Sequence, residues 1–371
     1  MKKFILSVIA ICLLAAGCNS AKPISSVQNE AQPVNQTVSP SRGSTSTPQS
    51  SSSQPTTIEQ VVIKTGINPT EVDEGTPYQL LVGGGHYLLW ITKTDFAKEK
   101  LIYDGKQITV SKNIDHITLS QNGSHYAYSA NDSGAPTYGS ATDDFYIDGV
   151  KINVPDNIQD FKITDDGQHY FYTTSKSSGS SDNALVKDGQ EILTSPMGIY
   201  QFWISTDGNS YLALSEIDSS NETQALILNG KQIYLHSNSV INPGDLAFSA
   251  NGQHYAYESY YDPNSSNFGL VVDGNFKFSP YNLNFLQINN SGDYAMSESN
   301  NITNKSQVYI DNKAFQTTTP NAKIFINQDA SHYLIVDGNN WLLDGKATTA
   351  KNNLYSAEIN GNTVYLYTLT K

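Results

Sequence analysis

The chain has 371 residues, a formal net charge of −13 and two cysteines, Cys12 and Cys18. Lys2, Lys3, Lys22, Arg42 and Glu30 together carry +3, so residues 58–371 hold −16, and Arg42 is the sole arginine of the chain. An acidic, arginine-free domain lacks the guanidinium forks that grip phosphate, which argues against DNA, RNA or anionic lipid surfaces as partners.

Met1-Lys2-Lys3 is a short basic start. An apolar run of about eleven residues follows, Phe4 to Leu14, too short to span a bilayer. It closes on Leu14-Ala15-Ala16-Gly17-Cys18. These residues resemble a bacterial lipoprotein signal peptide (residues 1–17) with its lipobox. The resemblance implies cleavage before Cys18 and diacylglycerol on its sulfur. It also implies a place on the extracytoplasmic face of a bacterial membrane, or on the periplasmic side in a host with two membranes. Cys12 would leave with the signal, so the folded part is expected to have neither disulfide nor thiolate metal site.

Residues 18–57 are Ser, Thr, Pro, Gln and Asn with few large apolar side chains. Such a stretch cannot bury enough surface to order itself and reads as a tether. As a coil it would span roughly 35 Å, and about 130 Å when stretched.

From residue 58 to residue 371 the chain repeats, and the repeat decides the fold. One hairpin type is Ile117–Tyr128, ITLSQNGSHYAY, where Asn122-Gly123 supplies a turn between two alternating runs. Its second strand recurs at Tyr87, Tyr126, Tyr170, Tyr211, Tyr255, Tyr294, Tyr333 and Tyr365, at spacings of 39, 44, 41, 44, 39, 39 and 32. The second hairpin type centres on Asp-Gly or a variant, at Asp104, Asp148, Asp188, Asn229, Asp273, Asp311 and Asp344, with an eighth, weaker copy around Gly66. Two hairpins in about 40 residues make a four-stranded unit, and such units predict an all-β fold, a β-propeller. The bookkeeping gives eight blades, or seven if the terminal pieces merge differently. The C-terminal pair Leu354–Thr370 supplies strands a and b of the last blade, and the Gly66 hairpin is expected to supply c and d, closing the ring. Segments such as LAFSANGQHYAY (Leu246–Tyr257) resemble WD-like β-propeller repeats of the kind found in the Tol-system periplasmic propeller. That resemblance implies the fold and is nearly silent on activity.

Five histidines, His86, His125, His169, His254 and His332, occupy one equivalent place in the repeat. Sitting on different blades, they are expected to hydrogen-bond between strands or blades rather than to converge on a metal. Paired tyrosines such as Tyr126 and Tyr128 are expected to fill the space between blades. Asp-Gly turns offer one carboxylate each, short of a calcium loop. Gly83-Gly84-Gly85 reads as a tight turn rather than a phosphate cradle. The sequence contains neither G-x-S-x-G nor H-E-x-x-H, and no cofactor is expected.

What remains is the face that carries the long b–c connections, Ser129–Asp144, Thr173–Asn183, Ser215–Gln224 and Glu258–Phe268. The candidate binding residues there are Tyr138, Asp143, Asp144, Tyr260, Tyr261 and Asp262. The reading is a lipid-anchored extracytoplasmic binding or scaffold protein that takes an envelope or extracellular protein or glycan. The rival is an envelope polysaccharide- or peptide-processing enzyme with a site at the channel mouth, which requires two or three acids or a histidine to converge there.

Overall fold

The computed structural model describes residues 57–64, 78–91, 99–131, 144–154, 157–175, 183–218, 223–236, 241, 246–260, 268–278, 282–300, 305–310, 313–317, 322–329, 331–348, 354–360 and 363–370. These form 31 strands in eight sheets, with no helix among the described residues. Seven sheets have four strands in chain order. They are blades 1 to 7, residues 78–108, 113–152, 157–195, 198–236, 246–278, 282–316 and 323–348. Strands a to d of each pair antiparallel with their neighbours.

Burial falls off outward along each blade. In blade 2, strand b (Tyr126–Asn131, YAYSAN) is buried at every position. The outer strand d (Val150–Ile152, VKI) is mostly exposed. A strand sandwiched between two other sheets has no solvent face, so every position of YAYSAN is buried and none is charged. The core is accordingly not one body but eight layers, one per seam. Leu88 and Leu101 of blade 1 pack with Ile117 and Tyr128 of blade 2. Phe145 of blade 2 meets Phe161 of blade 3 edge-on, with ring centroids 4.9 Å apart. Every later seam has its own cluster, through blades 7 and 8, where Leu334 and Trp341 meet Ile359 and Leu366.

The last seam closes the circle. Blade 8 joins the C-terminal strands a (Leu354–Asn360) and b (Thr363–Thr370) to an N-terminal strand, Thr57–Lys64. Ile63 of that strand is fully buried with Tyr367 of strand b against Leu80, Tyr87, Leu89 and Ile91 of blade 1. The ring is therefore an eight-bladed β-propeller closed by its N- and C-terminal pieces.

The closing piece differs in detail from the expected c–d hairpin. Thr57–Lys64 runs parallel to strand b, with Thr57 beside Thr363 and Lys64 beside Thr370. A strand c would run antiparallel to b. The chain must next enter strand a of blade 1, and in every other blade the strand that makes this handover runs in b's direction. Thr57–Lys64 thus has the direction of a strand d in the place of a strand c. Gly66 lies outside the described residues.

The two turn types also divide the glycines differently from the expectation. At the c–d turns Asp104 (φ 47°) and Gly105 (φ 79°) are both left-handed, as are five further pairs of the same kind. That is the two-residue hairpin turn for which Asp-Gly or Asn-Gly is chosen. Blade 1 makes its a–b turn on the left-handed pair Gly84 (φ 56°) and Gly85 (φ 88°). At the a–b turns of blades 2 to 6 only the glycine is left-handed: Gly123 has φ 73°, while Asn122 does not adopt a positive φ. Ser120 explains this, because its hydroxyl donates to the Asn122 side chain at 2.9 Å and its carbonyl accepts the Gly123 N–H. The turn is a wider, side-chain-clamped loop, repeated with Thr164 and Asp166, Ser205 and Asp207, and Ser249 and Asn251.

Candidate functional site

The a–b and c–d turns share one face, and the repeated histidines lie there. His86, His125, His169, His254 and His332 each place Nδ1 2.6–2.8 Å from the c–d turn aspartate of their own blade. The other oxygen of that aspartate accepts the N–H of the next tyrosine at 2.9–3.0 Å. The ring of His125 lies against the turn of the next blade, where a Cβ on Gly167 would fall 2.6 Å from Nδ1. The imidazoles thus bond within a blade and pack across a seam, and they are spread around the ring. Among the described residues no three His, Cys, Asp or Glu side chains group as a metal site.

This clamp has a measurable contribution. Asp148→Ala removes two hydrogen bonds and leaves a side chain that resists φ 49°. The expected loss is about 2 kcal/mol in urea denaturation. Asp148→Asn should lose less than half of that. Blade 4 already uses Asn229, which keeps the left-handed turn and accepts the Tyr211 N–H at 2.8 Å.

The residues predicted on the connection face are only partly described. Asp144 opens strand c of blade 2, Asp144–Ile147. It is paired with Lys151 at 2.6 Å and Lys112 at 3.0 Å. The hydrogen bond from Lys151 foremost, then Lys112, holds its carboxyl below the usual range. Its charge is therefore already answered within the chain. Tyr260 ends strand b of blade 5, Tyr255–Tyr260, three blade positions from Asp144, so the two are not brought together. Cys18, Tyr138, Asp143, Tyr261 and Asp262 lie outside the described residues.

Sequence reasoning missed the turn end of the central channel. There the a–b turns hold one another in series. Asn122 donates its N–H to Asp165 at 2.8 Å and Asp165 donates to the Thr206 carbonyl at 3.0 Å. Thr206 donates to Ala250 at 2.8 Å, Asn251 to the Asn290 side chain at 2.8 Å, and Asn290 to Gln328 at 2.9 Å. Inside this belt lies a cavity of about 330 Å³, with polar walls from Thr118, Gln121, Asn289 and Gln328 and apolar ones from Val82 and Phe325. Its one charged lining residue among those described is Glu358.

Glu358 comes from strand a of blade 8. One carboxylate oxygen, Oε2, accepts the Gly84 N–H at 2.6 Å and the Tyr367 O–H at 3.1 Å. Tyr367 accepts the Gly85 N–H in turn, at 2.9 Å. Burial pushes the Glu358 carboxyl above the ordinary range, and the charge of Asp165 adds to this. The Gly84 and Tyr367 bonds and His86 act in the opposite sense. The same tight packing pushes the Tyr367 phenol up, burial first and the Glu358 charge second.

A sequence signal for this residue existed. The position two before the turn serine or its equivalent holds Leu81, Thr118, Lys162, Trp203, Ala247, Gln287, Phe325 and Glu358. It is a column whose side chains differ from blade to blade.

The strand pairing and the closed ring make this a β-propeller protein. No protein-family model matches the chain, and none of the curated proteins matches it. Among solved structures, a hydrazine synthase of Kuenenia stuttgartiensis is similar at 16% identity and TM-score 0.37, over 64% of this chain and 78% of that one. A eukaryotic initiation factor is similar at 11% identity and TM-score 0.49, over 76% and 78%. A prolyl endopeptidase, from a structural and mechanistic study of two such enzymes, is similar at 13% identity and TM-score 0.45, over 74% of this chain and 48% of that one.

Proposed function

We propose that the protein is an extracytoplasmic binding or scaffold protein, held to a bacterial membrane by lipid on Cys18 and by the tether of residues 18–57. The ring presents its connection face to an envelope or extracellular protein or glycan. The observation that carries this reading is where the repeated polar groups are spent. The five imidazoles are committed to the turn aspartates of their own blades, and the turn residues Asp165 and Asn290 to holding neighbouring blades together. A ring so braced is a stiff platform, and recognition then falls to the segments that do not repeat. The enzyme reading required converging acids or a histidine at the channel mouth, and the described lining offers one carboxylate.

Two variants test the two halves of the proposal. Cys18→Ser should move the protein from the membrane to the soluble fraction; continued membrane association would refute the anchor. Replacing Tyr260, Tyr261 and Asp262 together with alanine should abolish crosslinking to envelope components in intact cells. Unchanged crosslinking by a folded variant would remove that face from the proposal.

A further inference from the structure

We infer that the turn end of the central channel is a binding site for a small organic cation, an amine whose ammonium group is taken by Glu358. The site is separate from the connection face, and the inference does not rest on the function proposed above.

The geometry leaves one oxygen of the carboxylate for a ligand. Both hydrogen bonds to Glu358 end on Oε2. Among the described residues Oε1 receives none. The Gly84 N–H and the Tyr367 O–H are donors that fix the carboxylate's orientation without neutralising it. No lysine or histidine stands among the described lining residues to pair with it. The cavity is therefore built with a negative charge that has no counter-charge in its walls, and an ammonium group supplies one. An anionic ligand would meet the charge of Glu358, to which that of Asp165 adds.

The size and the other walls select an organic cation over a bare metal ion. About 330 Å³ far exceeds the space of an ion and suits a small molecule. One carboxylate is too few hard ligands for a divalent cation. Val82, Ile359 and Phe325 offer apolar contact to a carbon body, and Gln121, Gln328 and Asn360 offer amide contacts to polar substituents.

The test uses the full-length protein in detergent and three probes of one chain length: aminohexanol, hexanediol and hydroxyhexanoate. Binding is followed by calorimetry and ligand-observed NMR. Aminohexanol should bind at least about tenfold more tightly than hexanediol, and hydroxyhexanoate should not bind. Glu358→Gln keeps an acceptor for Gly84 and Tyr367 and should erase the preference for the amine.

A second measurement needs no variant. Glu358 takes its proton at a higher pH than an ordinary carboxyl, while the amine stays charged, so amine binding should fall on acidification earlier than for an exposed carboxylate. The groups facing Glu358 are Asp165, His86, Tyr365 and Tyr367. The acid limb is assigned to Glu358, so His86→Gln should leave it in place. Equal binding of amine and diol, failure of the amine to bind, retained preference in folded Glu358→Gln, or a pH-independent amine affinity would each overturn the inference.

Discussion

Ile63→Asp is expected to open the ring. Ile63 is fully buried in the seam between blades 8 and 1, packed with Leu80, Tyr87, Leu89, Ile91 and Tyr367. A carboxylate there has no partner and either stays charged at great cost or takes a proton, which also costs free energy near neutral pH. The expected loss exceeds about 4 kcal/mol, beyond what the missing methyl groups alone would remove. Ile63→Val, which only trims the side chain, should lose about 1 kcal/mol. Urea denaturation gives both numbers. Limited proteolysis should show the Asp variant cut first near residues 57–64. A variant as stable as the Val control would mean that the N-terminal strand does not close the ring.

Gly84→Ala should be the costliest small substitution at a turn. A Cβ at Gly84 would sit 1.9 Å from the Asn122 carbonyl oxygen, backbone of the neighbouring blade. Gly123 makes the reverse fit, its Cβ falling 2.0 Å from the Gly83 oxygen. The two turns interlock, so neither can yield alone. Gly84 is also left-handed, at φ 56°. The left-handed backbone costs about 1–2 kcal/mol for alanine, and the displaced backbone adds about 1–3 kcal/mol more. Gly105→Ala is the matched control. Its φ is 79°, but the nearest atom to the new Cβ is the Tyr87 hydroxyl at 3.5 Å, so only the conformational cost of about 1–2 kcal/mol applies. The difference between the two urea midpoints measures the clash, and equal midpoints would show that the turns do not interlock.

The parts of the fold legible in the sequence are those whose cause is local. Asp104-Gly105 and its siblings announce two-residue turns because the left-handed backbone is written in the residue types themselves. The Tyr126-type strands announce their burial through uncharged runs with aromatic residues at alternate positions, and their recurrence gives the blade count. Asn122-Gly123 was harder, because the Ser120 hydroxyl claims the Asn122 side chain and widens the turn. Val61–Lys64 looks like the first half of a hairpin, but its direction is set by its partner Tyr367–Thr370 at the other end of the chain. Glu358 was not legible as a site residue. Its role depends on Gly84, 274 positions away, which becomes a neighbour only when the ring closes. Asp144 was read as an exposed acid at the end of a connection, but its side chain is only 17% exposed because Lys112 and Lys151 close over it.

The parallel pairing of Thr57–Lys64 with Thr363–Thr370 has a mechanical consequence. A pull applied at Thr57, the first residue of the closing strand, would reach the ring through the pairing of that strand with Thr363–Thr370. A pull along that strand loads its hydrogen bonds to Thr363–Thr370 side by side, in shear, so they must fail together rather than one after another. The seam that joins strand Thr57–Lys64 to strand Thr363–Thr370 thus resists a pull along itself, with Ile63 as the side chain that must be dragged out of the interior before the strand can slide.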